Sequence, residues 1–159
     1  GSEAAGTGTL CNAQKPDATK IRYGHYAMTN QSGKNYIAYV WKDVEGLQKF
    51  GTYKGNQSTG GPFVYCGFKP AFLLIKDATG ANSWAMYDTA RDIGNPADSL
   101  LQAQDTSGDA TYGAIDFLYN GFKIKAQVNA LNASGNVYMF AAFAERPEIN
   151  LYGAPSSSR

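Results

Sequence analysis

Three observations predict an all-β, antiparallel β-sandwich. Gly, Tyr and Phe are abundant, at 18, 11 and 8 of 159 residues, while charged residues make up only 17%, a composition that suits strands and turns better than helices. Nine short runs rich in aliphatic, aromatic and β-branched residues recur with turn residues between them, the spacing of a sandwich or barrel. Phe122, Ile124, Ala126 and Val128 alternate with Lys123, Lys125, Gln127 and Asn129, which sends one face to a core and the other to water. The length is that of one domain able to bury a two-layer core.

In order along the chain, residues 1–20 are small, polar and aperiodic and read as a flexible arm or linker, with Gly1 and Ser2 resembling an expression scar. The sandwich is expected over 21–150 and a short tail over 151–159. Strand runs cover 21–28, 36–41, 48–53, 62–67, 71–76, 83–88, 112–119, 122–129 and 137–144. Ala71 to Ile75 is continuously apolar and predicts a central strand covered on both faces. Asn120 and Gly121 stand between two runs, the residues a type I′ hairpin turn requires. Residues 98–104 form the one helix candidate, with Asp98 or Ser99 as its cap. Phe72, Leu74, Phe117, Phe122, Ile124, Val128, Tyr138 and Phe140 are the expected core positions. The pattern NxSGxxY appears at Asn30, Ser32, Gly33, Tyr36 and again at Asn132, Ser134, Gly135, Tyr138; it marks paired equivalent strands, one copy in a tandem array, or a chance likeness of two glycine turns.

Charge and motifs exclude several functions. Fourteen basic and thirteen acidic side chains give a net charge of +1, too little field to hold a phosphate backbone, so nucleic acid is not an expected partner. No run approaches the roughly 20 apolar residues a membrane helix needs, so membrane insertion is not expected. Cys11 and Cys66 lack zinc spacing; Cys66 reads as a small core residue, and whether the two pair is left open. The single histidine, His25, has no nucleophile motif near it. Glu145 and Glu148 flank Arg146 and Pro147 rather than protruding together from one strand as glycosidase carboxylates do. No catalytic site is expected.

Binding is the remaining class. Trp41, Tyr53, Tyr65, Trp84, Tyr87 and Tyr112 offer contact area, though their alternation within strands equally suits core packing. The loops 54–61 and 90–113 are long and rich in turn residues, where sandwich proteins carry recognition. Arg91, Asp92, Asn95, Asp98, Asp105 and Asp109 in the second suit a hydroxyl-rich ligand. Asp105 and Asp109 form a weak Ca²⁺ candidate, without the spacing of an established calcium loop. The same residues also close turns.

The motifs KFGTYKGN, GFKPAFLLIK, DTARD followed by NP, and MFAAFAERP together resemble an uncharacterised domain of bacteriophage tail-fibre and other virion proteins, especially of marine phages. The resemblance runs from about Asn30 to Pro147. It implies a concanavalin-like jelly roll without catalytic residues, synthesis in the reducing bacterial cytoplasm, a place in the virion, and repetition in tandem or in a homo-oligomeric fibre. The expected function is attachment to a bacterial surface glycan or protein; the alternative is a structural spacer or capsid decoration that acts by self-association.

Overall fold

The computed structural model describes Thr19, residues 30–106 and residues 108–145, with backbone alone at 112 and 113. The chain divides into two compact units, Ala5–Trp41 and a larger one that holds Lys42–Arg159. Expectations that fall on 1–18, on the strand 21–28, on Ser107 and on 146–159 lie outside the described residues.

The larger unit is nearly all-β. Among its described residues the strands are β1 (Gln48–Lys54), β2 (Phe63–Tyr65), β3 (Pro70–Asp77), β4 (Ala85–Asp88), β5 (Ala97–Leu100), β6 (Ala110–Leu118), β7 (Gly121–Ile124) and β8 (Val137–Ala144), with one four-residue helix, α1 (Asn129–Asn132). They form two four-stranded sheets of order β1-β8-β3-β4 and β2-β7-β6-β5, in which every strand pair is antiparallel. One core lies between them. Tyr53, Leu73, Ile75, Tyr87, Tyr138 and Phe140 from the first sheet are buried with Val64, Ile115, Phe117, Phe122 and Ile124 from the second. The rings of Tyr53 and Phe122, 6.1 Å apart, and of Phe122 and Phe140, 5.3 Å apart, meet across the layers, giving the edge-on contacts aromatic quadrupoles favour. The two layers are also joined along one side. Met86 at β4 and Leu101 just past β5 exchange backbone hydrogen bonds of 2.8 and 3.1 Å.

Most strands fall where the alternation put them, although β7 stops at Ile124, short of the expected 129, and a helix begins at Asn129; four further expectations are corrected. Residues 98–104 are not a helix: 97–100 form β5, because both oxygens of Asp92 take the N–H groups of Asp98 and Ser99 and the Ser99 hydroxyl, and β5 pairs with β6. The hairpin near Asn120 exists, but Tyr119 and Asn120 make its turn and Gly121 already pairs with Leu118. Neither Asn120 nor Gly121 has a positive φ, so the turn is not type I′. Gly121 is needed for another reason: a Cβ there would sit 2.1 Å from the Val64 carbonyl oxygen. Residues 36–41 are not a strand. Phe72, Leu74 and Val128 are half-buried rather than core. On β3 it is Leu73 and Ile75, both at 0% exposure, that point inward, so the apolar character of Phe72 and Leu74 belongs to the sheet's outer face.

Candidate functional site

The structure joins Arg91 with Asp109 and Asp92 with Asp98, and the polar groups of Arg91, Asp92 and Asn95 serve the fold around them. The Arg91 guanidinium donates from Nε to Asp88 at 2.6 Å, from one terminal nitrogen to Asp109 at 3.1 Å, and from the other to the Met86 carbonyl at 3.4 Å. It thus clamps the end of β4 to the start of β6. Burial pushes the Asp88 carboxyl up, but the backbone and side-chain hydrogen bonds from Arg91 outweigh it and hold the group below the usual carboxylate range. Asp92 is spent on the N–H groups of β5. Asn95, joined to Pro96 by a cis bond, accepts from the Phe117 N–H at 2.9 Å and donates to the Phe117 carbonyl at 3.0 Å, imitating a strand neighbour of β6. Asp98 is half-buried, and Asp105 and Asp109 are exposed. Among the described residues no group of three His, Cys, Asp or Glu is placed to hold a metal ion.

The other predicted loop, 54–61, is fastened from below by Asn132. This side chain is fully buried; its oxygen accepts the Asn56 N–H at 2.8 Å, and its amide nitrogen donates to the carbonyls of Ser58 and Ala126 at 2.9 and 3.0 Å. Gly55 has no room for a side chain, since a Cβ would lie 2.2 Å from the Ala133 carbonyl oxygen. At the same end of the sandwich the buried Asp77 accepts from Thr79 N–H, Gly80 N–H, Asn82 and Asn136, all at 2.7–2.8 Å. Burial raises its carboxyl, and these four donors more than reverse the shift. Both loops are held in fixed shapes, and much of their hydrogen-bonding capacity is already committed.

The open surface lies elsewhere, on the outer face of the first sheet. Leu74 pairs laterally with Ala141 and Met86, Phe50 with Ala141, and Thr52 with Met139. The Phe143 ring lies 5.8 Å from Phe50 and 6.0 Å from Phe72. Between these side chains and Trp84 runs a groove of about 500 Å³. Gly51 and Phe140 are part of its floor; the Phe140 ring itself turns inward to the core, where a Cβ on Gly51 would come within 2.9 Å of it. Met139, on its wall, is 43% exposed. Among the residues that line the groove, only Thr52 and Trp84 carry side-chain hydrogen-bonding groups. A smaller cavity of about 190 Å³ opens by Tyr87, Leu100, Gln102 and Leu131.

Loop composition pointed away from this face. The signal for it was present in β8, where Val137 to Ala144 is apolar on both alternating sets, although in a two-layer fold only one set meets the core. Of the predicted aromatic candidates, Tyr53 and Tyr87 are core, Tyr65 is exposed on the second sheet, and Trp84 borders the groove. Trp41 belongs to the smaller unit. Glu145 is exposed and lies 3.7 Å from the Lys69 amine, while Glu148 falls outside the described residues.

A family model described as a Domain of unknown function (DUF7483) matches residues 1–147. No curated protein and no solved structure matches the chain.

Proposed function

The chain belongs to the DUF7483 family, a domain of unknown function, and on that premise we propose that it is a non-enzymatic jelly-roll module of a bacteriophage virion that works by homotypic protein contact in an oligomeric fibre. The observation that carries this reading is the open apolar face around Leu74, Trp84 and Met139. Contiguous apolar surface of this kind marks an association site, and its shortage of charge matches the centre of an obligate interface rather than a transient one. A glycan needs several planar polar groups beside a stacking ring; this groove has the ring of Trp84, but its only side-chain polar groups are that indole N–H and the Thr52 hydroxyl. The same face of a second copy supplies the missing apolar match, related by a two-fold axis.

Host attachment through the 90–113 loop is the second reading, favoured by the exposure of Asp105 and Asp109. Light scattering after size exclusion separates the two. The full chain is expected to be dimeric or larger at tens of micromolar, and Met139→Lys to be monomeric with an unchanged circular dichroism spectrum. A monomeric wild-type chain that binds a glycan array, and loses that binding when Asp92, Asp105 and Asp109 are changed to Ala, would favour attachment instead.

A further inference from the structure

The turn that leads into β8 occurs twice in the chain. Asn132, Ser134, Gly135 and Tyr138 repeat Asn30, Ser32, Gly33 and Tyr36 at an offset of 102. The two copies share more than residues. Gly135 and Gly33 are both left-handed, with φ of 85° and 74°. The Tyr138 hydroxyl accepts the Ala133 N–H at 2.8 Å, and the Tyr36 hydroxyl accepts the Gln31 N–H at 3.0 Å, each five residues back. Asn136 N–H donates to the Ala133 carbonyl and Lys34 N–H to the Gln31 carbonyl, both at 3.2 Å. Chance can repeat four residues; a repeated glycine conformation, tyrosine latch and turn hydrogen bond make it one local structure used twice.

The apolar runs downstream of the two turns differ in fate. Residues 137–144 form β8, hydrogen-bonded to β1 on one side and β3 on the other. Residues 36–41 are an equally apolar run, and Ile37, Tyr39 and Val40 are 82%, 75% and 67% exposed. The Tyr39 and Trp41 rings stack at 5.9 Å, as alternate residues on one side of a strand do. Apolar surface exposed to this degree needs a partner. The β8 place in the sandwich of 48–144 is already taken. One 102-residue step also spans nearly one whole sandwich, from β1 to the last turn of β8.

We propose that residues 30–41 are a second closing unit, equivalent to 132–143, that fills the β8 place between a β1 and a β3 in another copy of this fold. The partner is therefore a sandwich of the same kind, within the same polypeptide or in a neighbouring chain.

A lengthened protein tests this. Residues 42–131 are duplicated and placed directly ahead of Asn30 in place of residues 1–29, so that 30–41 becomes the closing unit of the added copy. A second version also carries Ala38→Phe, which restores the ring that Phe140 places opposite Gly51. Amide exchange is read by mass spectrometry against the 159-residue chain. The amides of 36–41 are expected to exchange roughly 100-fold more slowly in at least one lengthened protein. Both versions carry Met139→Lys to remove the groove contact: protection that is independent of protein concentration assigns the partner to the same polypeptide, and protection that fades on dilution assigns it to a neighbouring chain. Exchange at 36–41 as fast as in the 159-residue chain in both versions overturns the proposal.

Discussion

Asp77 shows how much of this fold depends on single polar atoms. Its carboxylate is buried and takes four N–H donors, so Asp77→Asn would turn an amide toward groups that are themselves donors. The expected cost is about 2–3 kcal/mol, read from urea unfolding. The folded-state pKa values of Asp77 and Asp88 are both lowered. Their contribution is therefore complete above the unfolded carboxylate value of about 4 and is lost as pH falls through the folded values. Stability should be flat near neutrality and drop below about pH 4, with a smaller drop in Asp77→Asn. Cys66 gives a second residue-scale test. Burial pushes its thiol up to about 12, so in a Cys11→Ser background it should react with a disulfide reagent at pH 8 roughly a thousandfold more slowly than an ordinary thiol. Unfolding in urea should restore the normal rate.

At the scale of elements, glycines separate two kinds of requirement. Gly121→Ala would force β2 away from β7, because the new Cβ meets the Val64 carbonyl oxygen; the expected loss is about 1–3 kcal/mol. Gly94→Ala meets nothing within 4 Å and should be neutral within about 0.5 kcal/mol. Asn120 and Gly121 correctly announced the hairpin, yet the reason was close approach and not a positive φ, which a linear reading cannot distinguish. β1, β3, β4, β6 and β8 were legible because their alternation or apolar runs are local properties. β5 was not: residues 98–104 carry a helix-like pattern, and only Asp92, six positions before Asp98, and the facing β6 decide for a strand. Phe72 and Leu74 misled for a related reason, since an apolar residue on an outer face looks in sequence like one in a core. Arg91, Asp92, Asn95, Asp105 and Asp109 lie between strands while Asp98 lies in β5, and the internal bonds of Arg91, Asp92 and Asn95 depend on partners the sequence does not pair.

For the whole molecule, Phe122 is the pivot of the layers, with ring contacts to Tyr53 on β1 and Phe140 on β8. Phe122→Ala should cost about 3–5 kcal/mol, and chemical unfolding should still show one transition by fluorescence and circular dichroism, because both sheets share one core. The Met86 and Leu101 bonds close one side of the sandwich and leave β1 and β2 as the outer edges of the other. β1 and β8, the first and last strands among the described residues, lie side by side, with Gln48 opposite Phe143 and Lys54 opposite Val137. The sandwich is thus attached to the rest of its polypeptide at one end, through two adjacent strands that run in opposite directions. Tension applied through those attachments falls on the Gln48 and Phe143 pair first and then on each successive pair, as in opening a zip, instead of loading the ladder at once. A domain hung this way peels at low force. Under strain along the polypeptide it would ride beside the line of pull as a pendant and leave the bearing of that strain to whatever holds its two ends together.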